Sequence, residues 1–362
     1  MTTSSPRPEI RRSLSSHSPL RRKPRVVLER LLGRPEVDAP VYGPDSAMAV
    51  LERRIADILG KEEALFFPSG TMAQQVALRM HAEMRGRRGF GAHPQNHLDL
   101  WEQQGYDVVH GLHYVRVGDA NELMTAEDLA GIGEPVAAVL WELPQREIGG
   151  LLPEWGELRE QIATVRATGA ATHLDGARLW EAQTFYERPF DEIAALFDTV
   201  YVSLYKGLQG VRGAVLAADA ATIAEAKVWR WRLGGQIPDA WPLALAALDG
   251  LDNVLPRMAA FRDHAVALAG ALNADGIATT VPLVPQTPMF HVHLPVGWRA
   301  ANEASAAMVE ETGTHLFGGA ASTPLPDRCA FEVSVGENAM EFAPEELAGL
   351  VRELVERAGK AG

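Results

Sequence analysis

This chain of 362 residues has one cysteine, fewer basic than acidic residues and no long apolar run. Cys329 is the only cysteine, which excludes an internal disulfide framework and a cysteine metal cluster and makes a reducing cytoplasm the expected compartment. The 34 Lys and Arg residues against 47 Asp and Glu residues give a net charge of −13, which argues against a nucleic-acid surface. No apolar run approaches a membrane span and no hydrophobic signal core is present, so neither membrane insertion nor secretion is expected.

Several catalytic signatures are missing as well. The sequence has no Gly-x-x-x-x-Gly-Lys phosphate loop, no Gly-x-Ser-x-Gly elbow and no His-Glu-x-x-His pair. None of the histidines lies in a recognised ligand motif, so we expect no metal. The length suits one large α/β domain and a smaller one.

The first 34 residues form a basic segment, with nine Lys and Arg residues against Glu9 and Glu29. A Ser- and Arg-rich start with few acids is compatible with an organelle transit peptide. We favour the other interpretation, an N-terminal arm over residues 1–40, partly flexible, that packs near a subunit interface.

Two short stretches carry the strongest chemical signal. An apolar run over residues 170–172 precedes His-Leu-Asp-Gly-Ala-Arg at 173–178, and another over 199–202 precedes Ser-Leu-Tyr-Lys-Gly at 203–207. In an open α/β sheet, ligands bind beyond the carboxyl ends of the strands, so Asp175 and Lys206 are predicted to face one crevice. A lysine amine for the aldehyde and a carboxylate for the ring nitrogen are what pyridoxal 5'-phosphate requires.

A third stretch predicts an anion site. Pro68-Ser69-Gly70 follows a short apolar strand candidate, and residues 71–80 have the pattern of a helix. Ser69, Gly70 and Thr71 would then stand at a helix N-terminus, where unpaired N–H groups and the helix dipole attract a phosphate. Taken alone, an ordinary helix cap is the commoner explanation; together with Asp175 and Lys206, phosphate binding is favoured.

These motifs resemble the threonine aldolases, in the β-eliminating lyase group of fold-type-I pyridoxal-phosphate enzymes. The resemblance rests on six stretches in the family's order between about residues 40 and 255: 41–45, 68–73, His97 to Glu102, 173–178, 203–208 and 233–235. It implies an α/β, aspartate-aminotransferase-like fold with a mostly parallel central sheet, helices on both faces and a smaller α+β C-terminal domain. We therefore expect a large cofactor-binding domain over residues 41–250 and a small domain over 251–362.

The resemblance also assigns expected roles to individual residues. Lys206 would hold the cofactor and move protons, Asp175 would hold the ring nitrogen, and His97 would stack on the ring and assist proton transfer. Arg178 would contact the substrate carboxylate or a cofactor oxygen. The full expected set is Ser69, Gly70, Thr71, His97, Asp175, Arg178, Ser203 and Lys206 for the cofactor, with Ser15, Arg178 and Glu332 for the substrate.

Three positions depart from the family pattern. Gln145 stands where the family has a histidine, and Pro238 stands where it has an arginine for the phosphate of a neighbouring subunit. Arg230 and Arg232 are the candidates to replace that arginine.

Glu332, within a residue or two, stands where the family has an arginine for the substrate carboxylate. Three interpretations are open: Arg178 alone holds the carboxylate, Glu332 receives a cationic group of the substrate, or Glu332 is a solvated strand residue. We predict poor activity on threonine and better activity on a larger β-hydroxy or β-substituted amino acid.

The leading functional hypothesis is cleavage of the Cα–Cβ bond of a β-hydroxy amino acid, which gives glycine and an aldehyde. β-Elimination, transamination and a transaldolase-like exchange are alternatives with the same cofactor. A catalytically silent relative that acts as a binding protein is the alternative from another class. A homodimer or homotetramer is expected, because the basic arm and the Trp229 and Trp231 pair suggest subunit contacts.

Overall fold

The computed structural model describes residues 9–16 and 19–361, which form two compact units. One unit spans residues 29–256; the other joins the described residues up to Leu28 to those from Arg257 onward. The domain boundaries expected at 40 and 250 thus fall at 28 and 256. Arg34 explains the first difference, because its guanidinium pairs with Asp252 at 2.8 Å and ties this part of the arm to the large unit.

The described strands, in chain order, are β1 (Arg12–Ser13), β2 (Glu63–Phe67), β3 (Gly89–Ala92), β4 (His113–Arg116), β5 (Ala138–Glu142), β6 (Ala171–Gly176), β7 (Thr199–Ser203), β8 (Ala214–Ala218), β9 (Thr279–Val281), β10 (Met289–Leu294), β11 (Thr314–His315), β12 (Ala321–Ser322) and β13 (Cys329–Ser334).

The described α-helices are α1 (Pro24–Leu31), α2 (Ala47–Leu59), α3 (Gly70–Arg85), α4 (His97–Trp101), α5 (Gly105–Val108), α6 (Ala126–Ala130), α7 (Trp155–Ala167), α8 (Leu179–Tyr186), α9 (Phe190–Ala194), α10 (Ala220–Arg232), α11 (Trp241–Asn253), α12 (Met258–Asp275), α13 (Trp298–Thr312) and α14 (Pro344–Ala361).

The large unit is built on a seven-stranded sheet in the order β2-β8-β7-β6-β5-β3-β4. The pairs from β7 through β6, β5 and β3 to β4 are parallel, while β8 runs antiparallel to both β7 and β2. Strands β5, β7 and β8 are buried along their whole length, so both faces of the sheet are covered, which is typical of parallel sheets. The mostly parallel α/β sheet predicted from the sequence is confirmed.

Residues 85–97 are rich in Gly, Arg and His, a composition that predicts a loop. Strand β3 lies inside this segment, although its two glycines lower the strand propensity. The glycines fit the packing: a Cβ at Gly89 would lie 2.9 Å from the His113 ring, and one at Gly91 would press on Val117 at 3.2 Å. The close packing of the sheet therefore outweighs local propensity here.

The terminal unit has a four-stranded antiparallel sheet in the order β12-β13-β10-β9. Strand β1 of the arm pairs in parallel with β11, and Arg12 makes two hydrogen bonds to the Glu346 carboxylate at the start of α14. These contacts explain why this part of the arm belongs to the terminal unit.

Candidate active site

Three neighbouring parallel strands place three polar side chains side by side at their carboxyl ends. Glu142 on β5 is paired with Asp175 on β6, and Asp175 is paired with Tyr201 on β7. Residues paired in this way project from the same face of a sheet. All three are buried. Strand β6 continues to Gly176, so Asp175 lies one residue before its end, close to the strand-end position predicted from the sequence.

The N-terminus of α3 lies against Tyr201, the third of these side chains. Gly70 is the first residue of α3, and a Cβ built there would collide with the Tyr201 hydroxyl. The Ser69 side chain caps the helix by accepting a hydrogen bond from the Met72 amide at 3.2 Å. The cap interpretation of Ser69 is therefore correct, but the amides of Gly70 and Thr71 have no acceptor within the helix and remain directed outward.

Lys206 lies in the tight connection between β7 and β8. The Leu204 amide donates to the Gly213 carbonyl at 3.1 Å, and the Gly210 amide donates to the Leu204 carbonyl at 3.0 Å. Leu204 and Leu208 are buried and anchor this hairpin loop. These contacts position the Lys206 backbone beside the carboxyl end of β7.

The surroundings of Lys206 favour its neutral, nucleophilic form. Burial, followed by the positive charge of Arg178, lowers the pKa of the Lys206 ammonium to about 8, while Asp175 and Glu142 oppose this shift. Roughly a tenth of the amine would thus be neutral at pH 7, against a few parts in ten thousand for an ordinary lysine. A lysine of this kind is suited to attack a carbonyl group.

Burial and the Asp175 charge raise the pKa of the Glu142 carboxyl to about 7. One Glu142 oxygen accepts a hydrogen bond from the His97 amide at 2.6 Å. Near neutral pH, Glu142 is therefore protonated about half of the time, which lessens its repulsion with the adjacent Asp175.

His97 is the first residue of α4, and its ring is oriented by Glu102. Nδ1 lies 3.1 Å from Oε1 of the buried Glu102, whose other oxygen accepts a hydrogen bond from Gln75 at 3.0 Å. A carboxylate at Nδ1 favours the tautomer with the proton on that nitrogen, which leaves Nε2 as an acceptor.

The predicted residues of the large unit converge on two adjoining cavities that share His97 and Lys206. One cavity also contacts Ser69, Gly70 and Thr71, and the other also contacts Asp175 and Arg178. The phosphate end and the ring end expected from the sequence thus meet at the two shared residues.

The other predicted residues lie elsewhere. Ser203 is fully buried at the end of β7, where its hydroxyl donates to the Ala177 carbonyl at 2.7 Å, and it is not among the residues that line either cavity. Ser15 and Glu332 belong to the terminal unit. There the Ser16 amide bonds the Ser334 carbonyl at 3.3 Å, and the Ser334 hydroxyl donates to Glu332 at 3.0 Å. These contacts bring the two predicted substrate residues into one neighbourhood of that unit.

The two candidate replacements for the phosphate arginine have partners away from both cavities. The Arg230 guanidinium donates to the Phe66 carbonyl at 2.6 Å and to the Gln236 side chain at 2.7 Å. Arg232 lies over the Trp229 ring, 4.8 Å from its centroid.

Sequence reasoning missed several polar groups at the site. Gln74 lines the phosphate-side cavity, and its buried Oε1 has no hydrogen-bond partner among the described residues. Glu142 is the last residue of a buried strand, much as Asp175 is the last but one of its own. This position could have identified Glu142 as a site residue from the sequence. Arg212 carries no comparable signal, because an arginine in a loop is commonly a solvated residue. Glu102, Tyr201 and Tyr205 also line this cavity; Glu102 and Tyr205 lie in stretches that carry the family resemblance, but no role at the site was predicted for them.

The cavities fit pyridoxal 5'-phosphate in the chemistry of their donors. A lysine with a lowered pKa, a buried carboxylate and a helix N-terminus match the aldehyde, the ring nitrogen and the phosphate. The unpartnered amide of Gln74 is a further group that a bound phosphate would satisfy, since its amino group can be turned to donate. The residues present therefore fit the group.

Comparisons with known proteins agree with this site. The β-eliminating lyase family profile matches residues 27–295. A low-specificity L-threonine aldolase of Arabidopsis thaliana is 30% identical over 326 residues, covering 86% of this chain and 90% of the relative. A solved structure from Listeria monocytogenes, provisionally named an L-allo-threonine aldolase, is 38% identical with a TM-score of 0.89 and covers 96% of this chain and 97% of its own.

A more distant structure shows how widely the fold is shared. The serine palmitoyltransferase of Sphingomonas wittichii has a TM-score of 0.65 at 18% identity, with 92% of this chain and 83% of that one covered, a likeness of fold alone. Fold and site together define a fold-type-I enzyme dependent on pyridoxal 5'-phosphate. Within that class, the chain belongs to the β-eliminating lyase family, among the threonine aldolases. The predicted family, fold, cofactor and lyase class are confirmed.

Proposed function

We propose that this chain cleaves the Cα–Cβ bond of a β-hydroxy amino acid and releases glycine and an aldehyde. The observation that carries the proposal is the meeting of Lys206 and His97 at both cavities, with Asp175 on one side and the start of α3 on the other. The names of the relatives support the same reaction.

Each residue then has a defined task. Ser69, Gly70 and Thr71 would hold the phosphate, and Asp175 would hold the ring nitrogen. Bound pyridoxal 5'-phosphate supplies an electron sink for the bonding pair at Cα. Arg178 would bind the substrate carboxylate, for which its planar fork is suited.

Two groups would move the protons. Nε2 of His97, left as an acceptor by the Nδ1–Glu102 contact, would take the proton of the β-hydroxyl as the Cα–Cβ bond breaks and the aldehyde forms. Lys206 in its ammonium form would donate a proton to Cα, which yields glycine, and would be left as the neutral amine. A buried lysine with a pKa of about 8 can both hold and release a proton near neutral pH.

The test is to incubate the purified enzyme with threonine, allo-threonine and an aryl β-hydroxy amino acid and to measure aldehyde and glycine. Equal amounts of the two products are expected from at least one substrate. Lys206→Ala should lose both the products and the borohydride-fixed cofactor, whereas Lys227→Ala, an exposed lysine paired with Glu63, should keep both. Release of ammonia and a 2-oxo acid without glycine would contradict the proposal and favour β-elimination.

We also propose a homodimer or homotetramer in the cytoplasm. Trp231 is 70% exposed on α10, an apolar surface that a second subunit would cover. Light scattering at micromolar concentration should give two or four chains, and a monomer would contradict the assembly. No helix in the described part of the chain has both the length and the apolar composition required to span a bilayer.

A further inference from the structure

A cationic side chain lines the phosphate-side cavity at a position that the sequence pattern did not single out. Arg212 lies in the hairpin loop between β7 and β8, six residues after Lys206, and lines the same cavity as Ser69, Gly70 and Thr71. Lys206 and Arg212 lie on the same loop, which is anchored by buried leucines and by backbone hydrogen bonds between Leu204 and Gly213 and between Gly210 and Leu204.

A phosphate ester bound here needs more positive charge than the helix supplies. The group carries close to two negative charges at neutral pH, and a helix N-terminus offers the equivalent of about half a positive charge. The cavity also contains the Glu102 carboxyl, whose charge has the wrong sign. The buried Oε1 of Gln74 has no partner among the described residues, and if the amide is turned so that Nε2 takes its place, this side chain would donate a hydrogen bond to the same phosphate.

The other arginines near the site do not line the phosphate-side cavity. Arg178 and Arg146 line the ring-side cavity, where Arg178 lies 3.8 Å from Glu181 and Arg146 pairs with Glu147. Arg230, which bonds the Phe66 carbonyl and the Gln236 side chain, and Arg232, which lies over the Trp229 ring, line neither cavity. Pro238 stands at the position where the family resemblance leads us to expect an arginine from a neighbouring subunit. Arg212 is then the guanidinium on the phosphate side of the described site.

The Arg212 side chain is presented for binding. Its guanidinium lies over the Tyr205 ring, 4.7 Å from the centroid, a contact that orients the planar group without using its N–H donors. It makes no hydrogen bond or ion pair with any residue that the structure describes. Five donors therefore remain for an anion.

We propose that Arg212 binds the phosphate of pyridoxal 5'-phosphate from within the same chain and so replaces the missing arginine of the neighbouring subunit. The inference rests on the proposed cofactor site and adds to it the residue that supplies the charge. Tyr205 is the positioning residue, since it acts through the Arg212 side chain.

The experiment titrates cofactor-free full-length protein with pyridoxal 5'-phosphate and, separately, with pyridoxal, which lacks the phosphate, and follows the cofactor absorbance. Arg212→Gln should weaken binding of the phosphorylated compound by about 10- to 100-fold, the loss expected for a charge-assisted contact. Pyridoxal binding should change by less than about 3-fold, since hydrogen bonds to the ring and aldehyde are untouched. Arg212→Lys should restore part of the loss, and Arg232→Gln is the matched control.

The outcomes separate this inference from the proposed function. An equal loss for both compounds in Arg212→Gln, or no loss for either, would overturn the role of Arg212 while leaving the cofactor site intact. A larger selective loss in Arg232→Gln than in Arg212→Gln would also overturn it. Wild-type protein that binds neither compound would overturn the proposed function, and this inference with it.

Discussion

Replacing Glu142 by glutamine should stabilise the cofactor-free protein at alkaline pH. The pKa of Glu142 is about 7 in the folded chain against an ordinary 4.5. At 1.36 kcal/mol for each pH unit between these values, ionising Glu142 in the folded state costs about 3 kcal/mol. Glutamine has nearly the same shape, keeps an oxygen for the His97 amide and carries no charge next to Asp175.

The pH dependence follows from the sign of the shift. Because folding raises the pKa, the neutral carboxyl contributes stability below pH 4.5 that is lost progressively as the pH rises and is gone above about 7. The glutamine variant loses nothing over this range. The free energy of unfolding of Glu142→Gln should thus exceed that of wild type by less than 1 kcal/mol at pH 5 and by about 3 kcal/mol at pH 8.5.

Urea unfolding at both pH values and one protein concentration measures this difference, since subunit association also contributes to stability. Glu310→Gln, at an exposed position of α13, controls for the substitution itself. In an Asp175→Asn background the gain at pH 8.5 should shrink, because the Asp175 charge is the second cause of the shift. A glutamine variant less stable than wild type at pH 8.5, or a difference independent of pH, would refute the reasoning.

Three further predictions follow from the geometry. Gly70→Ala should lower the free energy of unfolding by about 1–3 kcal/mol because its Cβ meets the Tyr201 hydroxyl, and adding Tyr201→Phe should recover part of the loss in urea unfolding; no loss in the single variant would be the contrary result. Cofactor incorporation into wild type should accelerate with pH through about 8, as Lys206 loses its proton; a stopped-flow profile flat from pH 7 to 9 would exclude this. Glu332→Arg should improve threonine cleavage relative to a bulkier substrate in steady-state kinetics; efficient wild-type cleavage of threonine, unchanged in the variant, would show that Glu332 does not select the substrate.

Asp175, on the ring-side cavity, and Lys206 could be predicted because the sequence features that mark them are local. Asp175 and Lys206 each follow a short apolar run, and strand ends of a parallel sheet share an edge. The same logic applies to Glu142, which also ends a buried strand, but only the register with Asp175 in the folded sheet shows that the two carboxyls meet.

The phosphate side was less accessible to sequence reasoning. The role of Gln74 depends on which helical face turns toward the cavity, and that of Arg212 depends on the path of a short loop. The glycine-rich strand β3 was missed because its stability comes from close approach to His113 and Val117, partners that are distant in sequence. Long-range packing decides such cases.

The chain segments before and after Lys206 should differ in how well they tolerate inserted residues. Between Asp175 and Lys206 the chain leaves the sheet, forms α8 and α9 and returns through β7, so residues added on the outer side of this crossover would be absorbed at the surface. Between Lys206 and Arg212 the chain turns within one anchored hairpin, where a single inserted residue would rotate one side chain away from the other. Natural relatives that retain this arrangement should therefore vary in length across the crossover and keep the six-residue interval of the hairpin.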